Sequence, residues 1–233
     1  MTGGPLYTDP TLAESYARVS ATNLANAAYE RPAVQALLGD VRGRDVLDAG
    51  CAAGGHAAWL AAHGAYVTAI DASETMVRLA RERTRGAARI VRADLRDALP
   101  FAAASFDVVL SSLTLHYLAD WMPALREFAR VLRDGGRLIV STHHPLMTAG
   151  NVADYFAVTA IEEHWRSFAA EPVPVRFYHR PMERIVHDLL AAGFALQDLR
   201  EPRPVPGTEA RDPALAERFR TRPGFLIVDA SKR

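Results

Sequence analysis

The chain has 233 residues, 27 of them basic and 27 acidic, so its formal charge is zero and no global field draws it to nucleic acid or to a membrane surface. That length suits one domain with an ample core, and no apolar run approaches the roughly 18 residues that span a bilayer. The start, Met1-Thr-Gly-Gly-Pro-Leu-Tyr7, lacks the basic and apolar segments of a signal peptide, and the single cysteine, Cys51, excludes an internal disulfide; a cytoplasmic protein is expected.

In chain order, the alanine-rich stretch Thr11 to Glu30 reads as helix, and Pro32 opens a second short helix over Arg31–Leu38. An alternation follows. Strand Val46–Asp48 leads to a helix at Ala53–His63, which Gly64 can cap. Strand Tyr66–Ile70 leads to a helix that Ser73 can cap and that stops near Gly86. Strands at Arg89–Arg92 and Phe106–Leu110 come next, then a helix from about Trp121 to Leu132, which Gly135-Gly136 separates from strand Arg137–Ser141. Short apolar strands alternating with helical periods predict a parallel sheet covered on both faces. From Met147 to Val175 the rhythm is lost, which predicts an inserted cap. A helix at Pro181–Ala192, a strand at Phe194–Leu199, a short helix at Pro213–Arg220 and a final apolar strand at Gly224–Asp229 complete the chain. The expected organisation is one domain: a helical lid (1–40), a cofactor-binding core (41–145), a cap (146–180) and a carboxyl-terminal helix with strands (181–233).

The segment Arg44-Asp-Val-Leu-Asp48-Ala-Gly50-Cys-Ala52-Ala-Gly54-Gly55-His56 runs a strand into a glycine-rich turn, and Asp71 closes the next strand. An α/β fold grips an adenosine-containing cofactor with such an arrangement. The segment resembles the Asp-x-Gly-x-Gly-x-Gly signature of class I S-adenosylmethionine-dependent methyltransferases of the bacterial small-molecule type, with a methyltransferase type 11 domain. Ala52 stands where the middle glycine is usual. Two further blocks, Phe106–His116 and Leu125–Ser141, resemble the family's fourth- and fifth-strand regions, with Asp134 at a position where proline is common. The resemblance implies a Rossmann-like three-layer sandwich whose seven-stranded, mostly parallel sheet ends in an antiparallel last strand.

It also implies S-adenosyl-L-methionine as cofactor. Gly50, Ala52 and Gly54 would let backbone approach its methionine part, and the following helix would offer free N–H groups to its carboxylate. Asp48 opens the motif, Asp71 would accept the ribose hydroxyls, and Asp94 resembles the residue that binds the adenine amino group. Met76 and Leu95 would wall the ring, and Ala72, Ser111 and Tyr16 complete the implied cofactor set, with Tyr16 and Tyr29 as candidates to close over it. Cys51 reads as a small packing residue, without a basic partner to make a thiolate.

Methyl transfer from a sulfonium requires alignment in a dry pocket, and a base only where the acceptor holds its proton. Three histidines follow strands whose carboxyl ends should open on the pocket: His116, His143 and His144. Each is a candidate base, and each can instead cap a strand or fill the core. The cap's Trp165-Arg166 and Phe177-Tyr178-His179-Arg180 suit an aromatic or carboxylate-bearing acceptor, or the cap's own core. Adjacent His143 and His144 diverge in a strand, and no zinc-like spacing exists, so no metal is expected. The expected activity is methyl transfer to oxygen or nitrogen of a small molecule by a monomer or homodimer that takes no nucleic acid. Two other readings stay open: a cofactor-binding protein that transfers no methyl group, and a nicotinamide-dependent oxidoreductase, since Gly50-x-Ala52-x-x-Gly55 is one substitution from the dinucleotide fingerprint.

Overall fold

A computed structural model describes residues 5–233, so the first four residues, on which the signal-peptide reading partly rests, lie outside the described residues. Seven strands form one sheet in the order β3-β2-β1-β4-β5-β9-β8: β1 (Asp45–Ala49), β2 (Tyr66–Asp71), β3 (Ala88–Arg92), β4 (Phe106–Ser112), β5 (Leu132–His143), β8 (Phe194–Arg200) and β9 (Phe225–Lys232). The last strand runs antiparallel to both neighbours, between β5 and β8, while the β1–β2, β2–β3, β1–β4 and β4–β5 pairs are parallel. β6 (Thr159–Trp165) and β7 (Val173–His179) make a separate antiparallel hairpin.

Both faces of the sheet are apolar, as the alternation of β-carbons requires. Leu47, Val109, Leu138, Val140, Leu226 and Val228 face one layer, which includes α6 (Met122–Val131) and α8 (Met182–Ala191). Val46, Val108, Leu110, Ile139 and Ile227 face the other, built from α3 (Arg31–Leu38), α4 (Gly55–Ala62) and α5 (Glu74–Thr84). The chain turns back across the sheet between β1 and β4, and ligands of open α/β sheets bind in the crevice at such a reversal, outside the carboxyl ends of the strands.

The amino-terminal helices cover that crevice. The short α1 (Pro5–Thr8) precedes α2 (Pro10–Thr22), whose start is capped by Asp9 accepting the Leu12 N–H at 3.0 Å. The helix expected to continue to Glu30 stops at Asn23, because the Asn23 side chain captures the Ala25 N–H at 2.8 Å and its own ψ of 124° leaves the helical region. A π-helical turn, Asn26–Glu30, then leads into α3.

Three further expectations are corrected. β5 begins at Leu132 rather than after the glycine pair, since Leu132 pairs with Phe106 and Gly135 adopts φ +72° within the strand. The region read as irregular from Met147 to Val175 holds α7 (Pro145–Thr148), a 3₁₀ turn and the β6–β7 hairpin. Ending the aperiodic stretch at Val175 cut β7 in two: Val173, Val175, Phe177 and His179 are its inward positions, at period two. The short helix expected at Pro213–Arg220 is present as α10 (Pro213–Thr221), and α9 (Thr208–Arg211) precedes it.

Candidate active site

The glycine-rich turn after β1 is held by the next strand: the Gly50 and Cys51 N–H groups both donate to Ile70 O at 2.9 Å. Gly50 takes φ +89°, and a β-carbon there would lie 2.3 Å from the Thr114 side chain, so this approach of β1 to the end of β4 requires glycine. Gly54, at φ +76°, caps α4, and a β-carbon on it would stand 3.0 Å from Ala80 of α5. Ala52 also takes a left-handed conformation, φ +46°, although it carries a side chain.

Asp71 holds the turn against α5. Its two oxygens accept the Ala52 N–H at 3.0 Å and the Ser73 N–H at 2.8 Å, and each keeps a lone pair. Burial nevertheless raises its pKa to about 6, with those two bonds opposing the rise. Asp48 is 1% exposed; burial raises it to about 6, partly offset by His56, and its Oδ2 has no hydrogen-bond partner among the described residues.

These groups line a cleft that is open to solvent. Its charges come in two sets. Glu30, buried at the end of the π-helical turn, joins Asp48 and Asp71. Its Oε1 accepts the Ser112 hydroxyl at 2.7 Å and the Ser141 hydroxyl, and Oε2 lies 3.9 Å from His56 Nε2. Burial favours the neutral acid, but His56 and the two hydroxyls prevail, so the Glu30 pKa is lowered and the group is ionised. The second set is Arg31 and Arg83. Both guanidiniums come within 4.0 Å of where a Gly55 β-carbon would sit, beside the first residue of α4. Among the described residues no carboxylate pairs with either one. Partial desolvation, and then Arg31, lower the Arg83 pKa.

A second cavity adjoins the cleft and shares Tyr16, Ser20, Asn26, Leu113 and Tyr117 with it. Its far side is built by Trp165 and Phe168 of the hairpin segment, Phe225 of β9, Asn23, and the imidazoles of His116 and His143. Those two rings stack at 4.0 Å and 15°. Burial lowers the pKa of both, to about 4 for His143, so both are neutral near pH 7.

Of the residues singled out in the sequence, Asp48, Gly50, Ala52, Asp71 and Tyr16 line the cleft, and Gly54 shapes the turn beside it. Asp94 is bound by Arg96, whose side chain and backbone donate at 2.7, 3.0 and 3.1 Å; against partial burial, these bonds hold its carboxyl below the usual range. Met76 is fully buried among Tyr7, Ala13 and Tyr117, and Leu95 in the core on the α6 face. The Ala72 carbonyl accepts the Arg92 Nε–H at 3.2 Å. Ser111 is buried in β4 with no partner for its hydroxyl among the described residues, while Ser112, one residue on, reaches the cleft. Tyr29 does not join the site: it stacks on Phe219 at 4.5 Å, and its hydroxyl accepts the Gly224 N–H.

The adjacent histidines part. His143 faces the second cavity, whereas His144 Nδ1 caps α7 by accepting the Leu146 N–H at 3.0 Å and its Nε2 lies 2.9 Å from Glu201. In the cap, Arg180 is consumed by Asp188 at 2.6 Å, Ala119 O at 2.7 Å and the Trp121 face; His179 bonds Thr148 and Tyr155. Arg166 is exposed. Glu30, Arg31, Arg83, Thr114 and Tyr117 carried no signal in the chain, because they come from three segments far apart in sequence, Glu30-Arg31, Arg83 and Thr114–Tyr117. His56 alone sat within the motif. Among the described residues no group of three or more His, Cys, Asp or Glu is placed to hold a metal ion, and no helix is long and apolar enough to cross a membrane.

A model of the methyltransferase domain family matches residues 47–140. A solved S-adenosylmethionine-dependent methyltransferase from Mesorhizobium loti is 30% identical, with a TM-score of 0.73 over 91% of this chain and 100% of that one. The chain belongs to the S-adenosylmethionine-dependent methyltransferase family. A malonyl-acyl-carrier-protein O-methyltransferase of Enterobacter lignolyticus is 34% identical over 67% of this chain and 58% of its own length, so the chain spans little more than half of that relative. A cyclase, SpnF, shares the fold at 20% identity and a TM-score of 0.62 over 97% of this chain and 96% of that one.

The residues fit the family's cofactor. A cradle whose glycine faces Thr114, a buried carboxylate oxygen on Asp48 and an arginine pair beside a helix amino terminus, both without partners of opposite charge among the described residues, suit an amino-acid zwitterion linked to a nucleoside.

Proposed function

We propose that the chain transfers a methyl group from S-adenosylmethionine to an oxygen or nitrogen of a small molecule held in the second cavity. The observation that carries this reading is the shared wall: Tyr16, Ser20, Asn26, Leu113 and Tyr117 border both spaces, so a donor and an acceptor can meet only there. When bound, the cofactor supplies an electrophilic methyl on a sulfonium. Arg31, Arg83 and the α4 amino terminus would hold its carboxylate, Glu30 and Asp48 would supply negative charge for its cationic groups, and Asp71 would accept ribose hydroxyls through its remaining lone pairs. The helices of residues 5–38 serve as lid, and the segment 146–180 as cap over the acceptor. The residues of the shared wall would orient an acceptor lone pair toward that methyl.

Melting temperature with S-adenosylhomocysteine, S-adenosylmethionine and NADH tests the cofactor. A ligand at about one hundred times its dissociation constant stabilises by roughly 2.7 kcal/mol. Stabilisation by both adenosyl compounds and not by NADH supports the reading, and stabilisation by NADH alone overturns it. Product analysis then separates transfer from binding: a methylated acceptor with S-adenosylhomocysteine for the first, neither for the second.

A further inference from the structure

We propose that the acceptor is an uncharged aromatic molecule bearing a hydroxyl group, stacked between the hairpin aromatics and the paired imidazoles of the second cavity. This rests on the methyl-transfer reading above and narrows it.

Charge is partitioned across the shared wall. The cleft holds Glu30, Asp48, Asp71, Arg31 and Arg83, whereas among the described residues no Asp, Glu, Lys or Arg lines the cavity beyond Tyr16 and Tyr117. An acceptor carrying a carboxylate, phosphate or ammonium would meet walls that offer it no counter-charge. The three arginines of the cap are elsewhere: Arg180 is buried against Asp188, Arg176 is exposed beside Glu162, and Arg166 is exposed. The cavity's own imidazoles have both been driven to the neutral form by burial, which is how such a medium treats any ionisable guest.

The walls ask for a flat ring. Trp165 and Phe168 come from the cap, Phe225 from β9, and the stacked His116 and His143 from the ends of β4 and β5, so π-faces and ring edges meet a guest from separate elements. The polar groups ask for a hydroxyl. The Nδ1 atoms of both imidazoles are buried out of reach of a guest, whereas each Nε2 is accessible and has no hydrogen-bond partner among the described residues. A neutral imidazole offers one N–H and one lone pair. A hydroxyl both donates and accepts, so it satisfies these rings in either tautomer; a carbonyl or an ammonium satisfies only one kind. Asn23 and Asn26 add carboxamides, which serve a neutral guest equally.

Binding of three probes to the full chain saturated with S-adenosylhomocysteine tests this: 1-naphthol, 1-naphthoate and protonated 1-naphthylmethylamine, by calorimetry at pH 7.5. Naphthol is expected to bind at least tenfold more tightly than either ion. His143→Leu and Trp165→Leu should each weaken naphthol at least tenfold while S-adenosylhomocysteine affinity, which also reports folding, stays within twofold. Asn23→Asp keeps the acceptor of the local turn and adds one carboxylate to the cavity, and should make the ammonium probe the preferred guest. Tighter binding of either ion to the unaltered chain, no binding of naphthol, or naphthol affinity unmoved by His143→Leu would overturn the proposal. Failure to bind S-adenosylhomocysteine would instead overturn the methyl-transfer reading beneath it.

Discussion

Ala52 and Asp48 show how single side chains set the terms of the cofactor turn. A left-handed residue with a β-carbon costs about 1–2 kcal/mol, and Ala52 holds φ +46° because its N–H is tied to Asp71. Ala52→Gly is therefore expected to stabilise the fold by up to about 1 kcal/mol in urea denaturation, the relief being reduced by glycine's freedom in the unfolded chain. A loss of stability would mean the turn does not need that conformation. Asp48 is a carboxyl whose pKa is raised, to about 6, mainly by burial. Ionisation above that pH opposes folding of the ligand-free chain, so its share of stability is present in acid and lost as pH rises through about 6. Asp48→Asn should accordingly stabilise the ligand-free protein at pH 7.5, by on the order of 1–3 kcal/mol. The same ionisation favours a cation. Affinity for S-adenosylmethionine should rise between pH 5 and 7.5 more steeply than affinity for the uncharged-sulfur product, and Asp48→Asn should remove most of the difference; parallel titration calorimetry of the two ligands reads it directly.

Two buried carboxylates decide how whole elements are held. Glu30 fastens the π-helical turn, and with it the α2–α3 lid, to the ends of β4 and β5 through Ser112 and Ser141. Glu30→Ala leaves those hydroxyls without their acceptor, with an expected loss of about 1–3 kcal/mol. Faster amide exchange over residues 26–38, with β1 and β4 still protected, would place that loss in the lid. Asp188 fastens α8 to the base of the hairpin by pairing with Arg180, which also bonds Ala119 O and covers Trp121. Arg180→Ala leaves a carboxylate that is 4% exposed with Arg184 as its remaining charged partner, and breaking such a buried pair costs up to about 3–5 kcal/mol. Thermal melting of the variant should show that fall, whereas Arg184→Ala, which removes the more exposed second partner of Asp188, should cost much less.

At the scale of the molecule, the insertion of β9 between β5 and β8 makes the last residues of the chain central to the sheet. Phe225–Lys232 forms ladders on both sides, and Leu226, Ile227 and Val228 fill both core layers. Asp229 receives Arg137, which also donates to the carbonyls of Leu37 and Leu38 and so joins α3, β5 and β9. Deleting residues 225–233 would expose an edge of β5 and separate β8 from the sheet. The truncated chain is expected to lose its cooperative melt and near-ultraviolet circular dichroism; a sharp transition within a few degrees of the full chain would show that β5 can serve as an edge.

The chain by itself determined what depends on neighbours in sequence. Strand and helix positions followed from apolar periodicity, Ser73 caps α5 as its position implied, and Gly50 stands where backbone must approach Thr114. The family resemblance rested on the same local blocks, so it too was legible. The places where local signals failed were Asn23, whose side chain ends a helix that alanine would continue, and β7, whose period-two face is covered only because Ile161 and the core around Tyr7 and Tyr117 lie against it. The site's remaining parts were decided by tertiary structure alone. Glu30, Arg31, Arg83 and Tyr117 come from different elements and acquire meaning only on converging around the turn after β1. The parting of His143 from His144, and the stacking of His143 on His116, follow from strand geometry and from what each face meets. Burial, which sets the charge of Asp48, His116 and His143, is a property of the folded environment and is written in no residue by itself.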